Sequence, residues 1–231
     1  MLDLPPEALT AIRLTLRVAG VATLASLPAA IAVAWLLARR RFPGIVLIEA
    51  LIHLPLTLPP VVTGYLLLIV FGRHGWLGAW LEAQFGIVFA FRWTGAALAA
   101  AIMGFPLMVR AIRLALESVD EKLEEAAATL GAPPAAVFAT VTLPLIGPGI
   151  ISGAVLAFAR AMGEFGATIT FVANIPGQTQ TLATAIYTYT QQPDGDAAAL
   201  RLVLVSAALS LSALVVSEWL DRRGRRRARG R

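Results

Sequence analysis

The sequence predicts an all-α, polytopic membrane fold with about five transmembrane helices, and three observations carry that prediction. Hydrophobic residues make up 58% of the 231 residues and charged residues only 14%, where soluble domains carry about a quarter charged. The mean hydropathy is +0.76. Several apolar runs are long enough to cross a bilayer, which takes about 20 residues. The absence of cysteine excludes a disulfide frame and thiolate chemistry. The two histidines, His53 and His74, have no suitably spaced ligands beside them for a metal site.

Five crossings are expected, at Val18–Ala38, Val46–Phe71, Thr94–Arg113, Leu145–Gly163 and Ala199–Leu220. The first reads as a retained helix rather than a cleaved signal. Its upstream segment Met1–Glu7 is acidic, and the arginines at 39–41 follow the apolar run instead of preceding it. With the N-terminus outside, Arg39, Arg40, Arg41, Arg110, Arg113, Lys122 and the tail arginines all fall on the cytoplasmic side. Arg13, Arg17, Arg73, Arg92 and Arg201 fall outside, and Arg160 lies within a span. This is the bias of the positive-inside rule. Seven arginines lie in the tail 221–231, more than the whole net charge of +5. A basic stretch abutting a span is a topology anchor before it is a nucleic-acid patch. The chain therefore reads as one domain over 1–231, with its spans within about 9–220 and a basic cytoplasmic tail at 221–231. Trp76, Trp80, Trp93 and Trp219 fall near predicted span ends, where an aromatic belt sits.

The second span is interrupted. His53-Leu54-Pro55-Leu56-Thr57-Leu58-Pro59-Pro60 places three prolines and two polar groups in one apolar run, and each proline removes a backbone donor. Freed backbone groups are tolerated in hydrocarbon only where protein or a wet cavity satisfies them. Two readings follow: a discontinuous helix lining a pathway, or a kink for packing. His53 reads as a packed or interfacial histidine. In the fourth span, Gly147-Pro148-Gly149 and the pair Gly149/Gly153 offer a flat face for close helix packing. Beyond it, 167–192 is too polar to cross alone and too apolar for a free loop, so a re-entrant segment or short helix at the outer mouth is expected.

Between the third and fourth spans lies a polar elbow. Ser118-Val119-Asp120-Glu121 has the spacing of a capping box. Val119, Leu123, Ala126 and Leu130 follow at helical spacing, with Asp120, Glu121 and Glu124 on the opposite face. Gly131 is placed to stop the helix, and Pro133-Pro134 blocks continuation and opens a second short one. The acidic face is either a solvated surface or a match for a basic cleft on a partner.

The pattern Glu125-Ala126-Ala127, Gly131, then Val141-x-Leu143-Pro144 resembles the EAA loop of the permeases of type I ABC importers, with valine where isoleucine is usual. The resemblance implies that the elbow is the coupling helix seated in a cleft of a separate ATPase subunit. Glu124, Glu125, Ala126, Ala127, Gly131, Leu143 and Pro144 are then its coupling residues. Within that family, Phe42-Pro43-Gly44, Leu54–Val62, Phe158–Thr168 and Asn174–Thr181 look like the molybdate permeases; sulfate and tungstate permeases share the style of the third stretch.

Arg160 and Glu164 stand four apart near the outer end of the fourth span. Ionisable residues inside a span carry a cost of at least about 2.5 kcal/mol and default to a functional hypothesis. They are either a buried ion pair holding the spans together or a positive field that helps an oxyanion through. With Thr57, Pro59, Pro60, Thr63 and Thr168 they make up the expected translocation pathway. No G-x-x-x-x-G-K-[ST] phosphate loop and no Gly-x-Ser-x-Gly elbow occurs, so the chain is expected to be no enzyme. ATP and Mg would be used by the partner ATPase, with no cofactor on this chain and no catalytic or metal-ligating residue.

The expectation is thus a homodimeric permease in the bacterial cytoplasmic (inner) membrane. Its partners would be a cytosolic ABC ATPase subunit and a periplasmic or tethered molybdate-binding protein, with no nucleic acid. The rivals are the same machine carrying tungstate or sulfate/thiosulfate, and an ion-gradient-driven secondary transporter. The latter requires a titratable midplane carboxylate, for which only Glu164 is near candidacy.

Overall fold

The computed structural model describes the backbone of residues 6–229 and the side chains of residues 7–216 and 219. The side chains of the basic tail 221–231 lie outside the described residues. Among the described residues every regular element is helical. The order is α1 (Pro6–Arg39), α2 (Ile45–Thr57), α3 (Pro60–Phe71), α4 (Trp76–Phe85), α5 (Trp93–Glu117), α6 (Glu121–Thr129) and α7 (Pro134–Val137). A π-turn over Phe138–Thr142 leads to α8 (Leu143–Leu145), α9 (Gly147–Met162), α10 (Gly166–Val172), α11 (Leu182–Thr190) and α12 (Asp196–Arg229).

Helices α1, α5 and α12 are each long and apolar enough to cross a membrane, and two bent pairs raise the number to five when each pair counts as one crossing. Each overlaps one of the five expected runs, but the first begins at Glu7 rather than Val18, and the fourth counts as a bent pair only with Pro134–Leu145 of the elbow. The second run is broken between α2 and α3, where the axis turns by 115°. Pro59 caps α3 and Pro60 opens it, and proline at a first helical turn forfeits no helical bond. The two halves pack on different clusters of the bundle. Ile45, Ile48 and Ile52 of α2 pack on the cluster of Met108, Val109 and Ile112. Leu67, Leu68 and Phe71 of α3 pack on the opposite cluster around Ala96–Met103.

Small residues let the central helices approach closely. A Cβ on Gly104 of α5 would meet the Cβ of Ala157 in α9 at 3.2 Å, and one on Gly153 of α9 would meet the Met108 carbonyl oxygen at 3.0 Å. Gly149 and Gly153 of the fourth span therefore serve packing within the chain, as expected, whereas a Cβ on Gly147 would meet nothing within 4 Å. Ala96, Ala99 and Ala100 are fully buried where α5 runs beneath α1. Between the fourth and fifth spans, the semi-polar stretch forms two short helices, α10 and α11. Thr15 of α1 accepts a hydrogen bond from the Leu182 backbone N–H at 2.7 Å, which anchors the start of α11. The short α4, with Trp76 and Trp80 largely exposed, is an element the periodicity did not single out.

Candidate functional site: an elbow outside the bundle and a break within it

The elbow forms where expected, but its first turn is capped differently. Asp120, not Ser118, is the N-cap: its carboxylate accepts the Lys122 backbone N–H at 3.0 Å. Ser118 instead ends α5, and its hydroxyl donates to the Ala115 carbonyl at 2.7 Å. The preceding helix runs on to Glu117, so Ser118 is still within reach of a helical carbonyl behind it, and a serine there bonds backwards. The stop is as expected. Gly131 has φ +87°. Its N–H donates to the Ala128 carbonyl at 2.9 Å, and the Ala132 N–H donates to Ala127 at 3.2 Å. These are the two bonds of a Schellman motif.

The acidic face of α6 is not simply outward. Arg39, the last residue of α1, reaches Glu121 at 2.8 Å and Glu124 at 3.1 Å. Glu124 also accepts the Thr142 hydroxyl at 2.6 Å. Two of the three acids read as a free or partner-facing surface are thus paired within the chain. Their cation lies eighty-two residues away in sequence from the nearer one, which local patterning does not reveal. Val119, at the head of the apolar stripe, is buried in the bundle core, and the rest of the stripe stays open: Leu123 is 49% and Leu130 89% exposed, and α6 buries no residue at all. Glu125 and Ala126 are exposed and Ala127 half-buried; Leu143 and Pro144 are exposed at the far side of the elbow.

Pro144 accounts for the π-turn. It has no N–H to give to the carbonyl four residues back, and the Leu143 N–H bonds five residues back to Phe138 instead. The widened turn sets Thr142, only 2% exposed, against Glu124. A second ionic cluster sits at the same end of the bundle. Arg113 of α5 pairs with Glu49 of α2 and, at 2.7 Å, with Glu117. His53 lies half-buried one turn along, its Nδ1 2.8 Å from the Glu49 carbonyl oxygen of its own helix.

The expected pathway residues converge, except one. Helices α3 and α10 lie against each other so closely that a Cβ on Gly166 would meet Pro60 Cβ at 2.7 Å, and one on Gly64 would meet the Ala167 carbonyl oxygen at 2.6 Å. Pro59, Pro60 and Thr63 on one side thereby face the segment that carries Glu164 and Thr168 on the other. Thr63 and Thr168 are buried, and Thr63 Oγ1 has no hydrogen-bond partner among the described residues. Thr57 stands apart: it is exposed and its hydroxyl donates to the Leu54 carbonyl at 2.9 Å, finishing α2.

Arg160 Nη1 lies 2.7 Å from Glu164 Oε2, a charge contact at an oxygen that has no hydrogen-bond partner among the described residues. The other oxygen of Glu164 accepts the Ala167 backbone N–H at 2.8 Å, so the carboxylate also caps α10. Glu164 is 2% exposed and Arg160 27%. Glu164 is held at one oxygen by a hydrogen bond and at the other by charge alone, while the guanidinium is partly exposed. Sequence reasoning missed this capping role; the signal available to it was the acid two residues before Gly166.

The model of the family described as binding-protein-dependent transport system inner membrane component matches residues 26–226. The molybdenum transport system permease protein ModB of Escherichia coli (strain K12) is 60% identical over 218 residues, covering 94% of this chain and 95% of that protein. The sulfate transport system permease protein CysT of the same organism is 37% identical over 221 residues, covering 96% of this chain and 79% of that protein. Among solved structures, a bacterial alginate ABC transporter in complex with a pentasaccharide-bound periplasmic protein superposes with a TM-score of 0.74. At 19% identity, over 95% of this chain and 80% of that one, it shares the fold. On the strength of the family match and these identities, the chain belongs to the family of binding-protein-dependent transport system inner membrane components.

Proposed function

We propose that this chain is the permease subunit of an ATP-driven importer that carries molybdate across the bacterial cytoplasmic membrane, working as a pair of identical copies. The identity to a molybdenum permease, 60% over nearly the whole chain against 37% to a sulfate permease, is the observation that carries the cargo. The elbow supports the energy source. A helix outside the bundle that pairs two of its acids with Arg39 and leaves Leu123 and Leu130 exposed presents an apolar face that gains most by docking into a partner. That partner is a cytosolic ATPase, which uses ATP and Mg, while this chain holds no cofactor. Each copy has one such elbow, and two ATPase subunits need two, so identical pairing is the minimal assembly. A molybdate-binding protein delivers the cargo to the opposite end.

In operation, ATP closes the ATPase pair, which draws the elbows together and opens the pathway outward. Hydrolysis resets it inward. The break between α2 and α3 and the break between α9 and α10 lie together, and the path runs past them. Arg160 offers positive potential there without tight binding, because its charge is already shared with Glu164 and conduction needs sites weak enough to leave.

Uptake of radiolabelled molybdate into proteoliposomes containing the permease, its ATPase and the binding protein tests this. ATP-dependent uptake that molybdate and tungstate compete for, and sulfate does not, is the expected result. Uptake driven by an ion gradient without ATP would overturn the mechanism. Competition by sulfate equal to that by molybdate would overturn the cargo.

A further inference from the structure

The elbow has to pass a displacement to the spans, yet α6 buries none of its own residues. Val119, just ahead of its cap, packs into the cluster that holds Leu37 of α1, but the apolar side chains of α6 itself are open, so packing holds the elbow at its first residue only. What reaches α6 beyond that point from the bundle is charge and one hydroxyl. Arg39 is only 13% exposed, at the very end of α1, and bonds Glu121 and Glu124 together. Glu124 passes the link to Thr142, in the π-turn that leads into α9. The two bonds differ in weight. Glu121 is 74% exposed, and a pair on so open a carboxylate contributes little. Glu124 is 23% exposed and shared between a mostly buried cation and a buried hydroxyl, and removing the cation leaves that carboxylate uncompensated.

We infer that Arg39 is a positioning residue for transport: through Glu124 and Thr142 it fastens the elbow to spans α1 and α9, so that elbow movement becomes span movement. The inference rests on the coupling role proposed above for the elbow. The ion pairs and hydrogen bonds of Arg39 go to Glu121 and Glu124 and to none of the expected pathway residues. Arg39 neighbours Arg40 and Arg41 in a cluster whose sign alone would serve topology, but it is the one whose guanidinium is turned back onto the elbow. Beside this link a groove of about 1100 Å³ separates α1 from the elbow, with Ala32 and Ala128 on its two walls. Across that open space, the distance between the walls is free to report whether the tie holds.

The test uses the whole complex of permease, ATPase and binding protein in proteoliposomes. The chain has no cysteine, so spin labels at Ala32→Cys and Ala128→Cys read the elbow-to-α1 distance directly. In Arg39→Gln the distance distribution broadens, and molybdate imported per ATP hydrolysed falls about tenfold, within the usual range for coupling between separate sites. ATPase copurification stays at the unsubstituted level. Arg39→Lys, which keeps the charge but not the fork, restores part of the ratio. If Arg39→Gln does not insert, Thr142→Val carries the test, because it keeps the volume and removes only the hydroxyl link. An unchanged distance distribution with an unchanged transport ratio overturns the inference. So does loss of ATPase copurification with an unchanged distance, since Arg39 would then serve docking. Failure of the unsubstituted complex to import molybdate on ATP would instead overturn the proposed function, and the distance measurement would still decide the tie.

Discussion

Gly131 is the position at which backbone conformation can be separated from sterics. Its φ of +87° lies in the left-handed region, and a Cβ built there meets nothing within 4 Å. The Cβ of a replacing valine therefore meets no neighbour, and no side-chain contact is removed; the main effect is the cost of holding an L-residue in that conformation. That cost is about 1–2 kcal/mol, higher for a β-branched side chain. It falls on the two bonds that close α6, from Gly131 to Ala128 and from Ala132 to Ala127. A shift of this size changes the population of the closed elbow by a factor of about 5–30. Asparagine tolerates the left-handed region far better, so Gly131→Asn is the matched control. Gly131→Val should insert normally, because the residue is exposed and outside the bundle core. Its ATPase copurification should fall about 5-fold or more, while Gly131→Asn stays close to the unsubstituted protein. The assay is affinity purification of the solubilised permease with its ATPase quantified alongside, and ATP-driven uptake in parallel. Equal retention and equal uptake in Gly131→Val would refute the assignment of α6 to coupling.

Three further outcomes are expected. Cysteines placed at 40 and 177 should react oppositely with an impermeant maleimide in intact cells, residue 177 labelled and residue 40 protected; the reverse pattern would overturn the orientation. Arg160→Gln leaves Glu164, 2% exposed, without its cation and should lower thermal stability by about 3 kcal/mol, measured on the detergent-solubilised protein. Adding Glu164→Gln should recover that stability, since the amide oxygen can still cap Ala167; if uptake recovers fully as well, Arg160 provides no field for the cargo. Gly166→Leu drives a side chain into Pro60 and should cost about 1–3 kcal/mol by overpacking and abolish uptake while ATPase copurification persists. Normal uptake in that variant would mean that the contact of α3 with α10 is no part of the path.

The class of fold, the five apolar runs, the interruption at Pro59-Pro60 and the glycine stop at Gly131 were legible in the sequence. Each follows from a local rule: transfer of apolar side chains into lipid, the missing proline N–H, and the left-handed freedom of glycine. Gly149 and Gly153 were also legible as a packing face, because the signal there is the absence of a side chain. The capping of α6 was misread for a local reason, since nothing in Ser118-Val119-Asp120-Glu121 says that α5 extends to Glu117 and claims the serine.

What tertiary structure alone decided is which distant groups meet. Glu121 and Glu124 carry the pattern of a free acidic face, and only the docking of the elbow against the end of α1 pairs them with Arg39. Likewise Gly166 and Pro60, more than a hundred positions apart, belong to two helix breaks that the sequence shows separately and the fold sets side by side. Hydrophobic periodicity and turn chemistry act over a few residues and so are written in neighbouring letters. Ion pairs and helix contacts act through space, and their partners are chosen by how the spans stack.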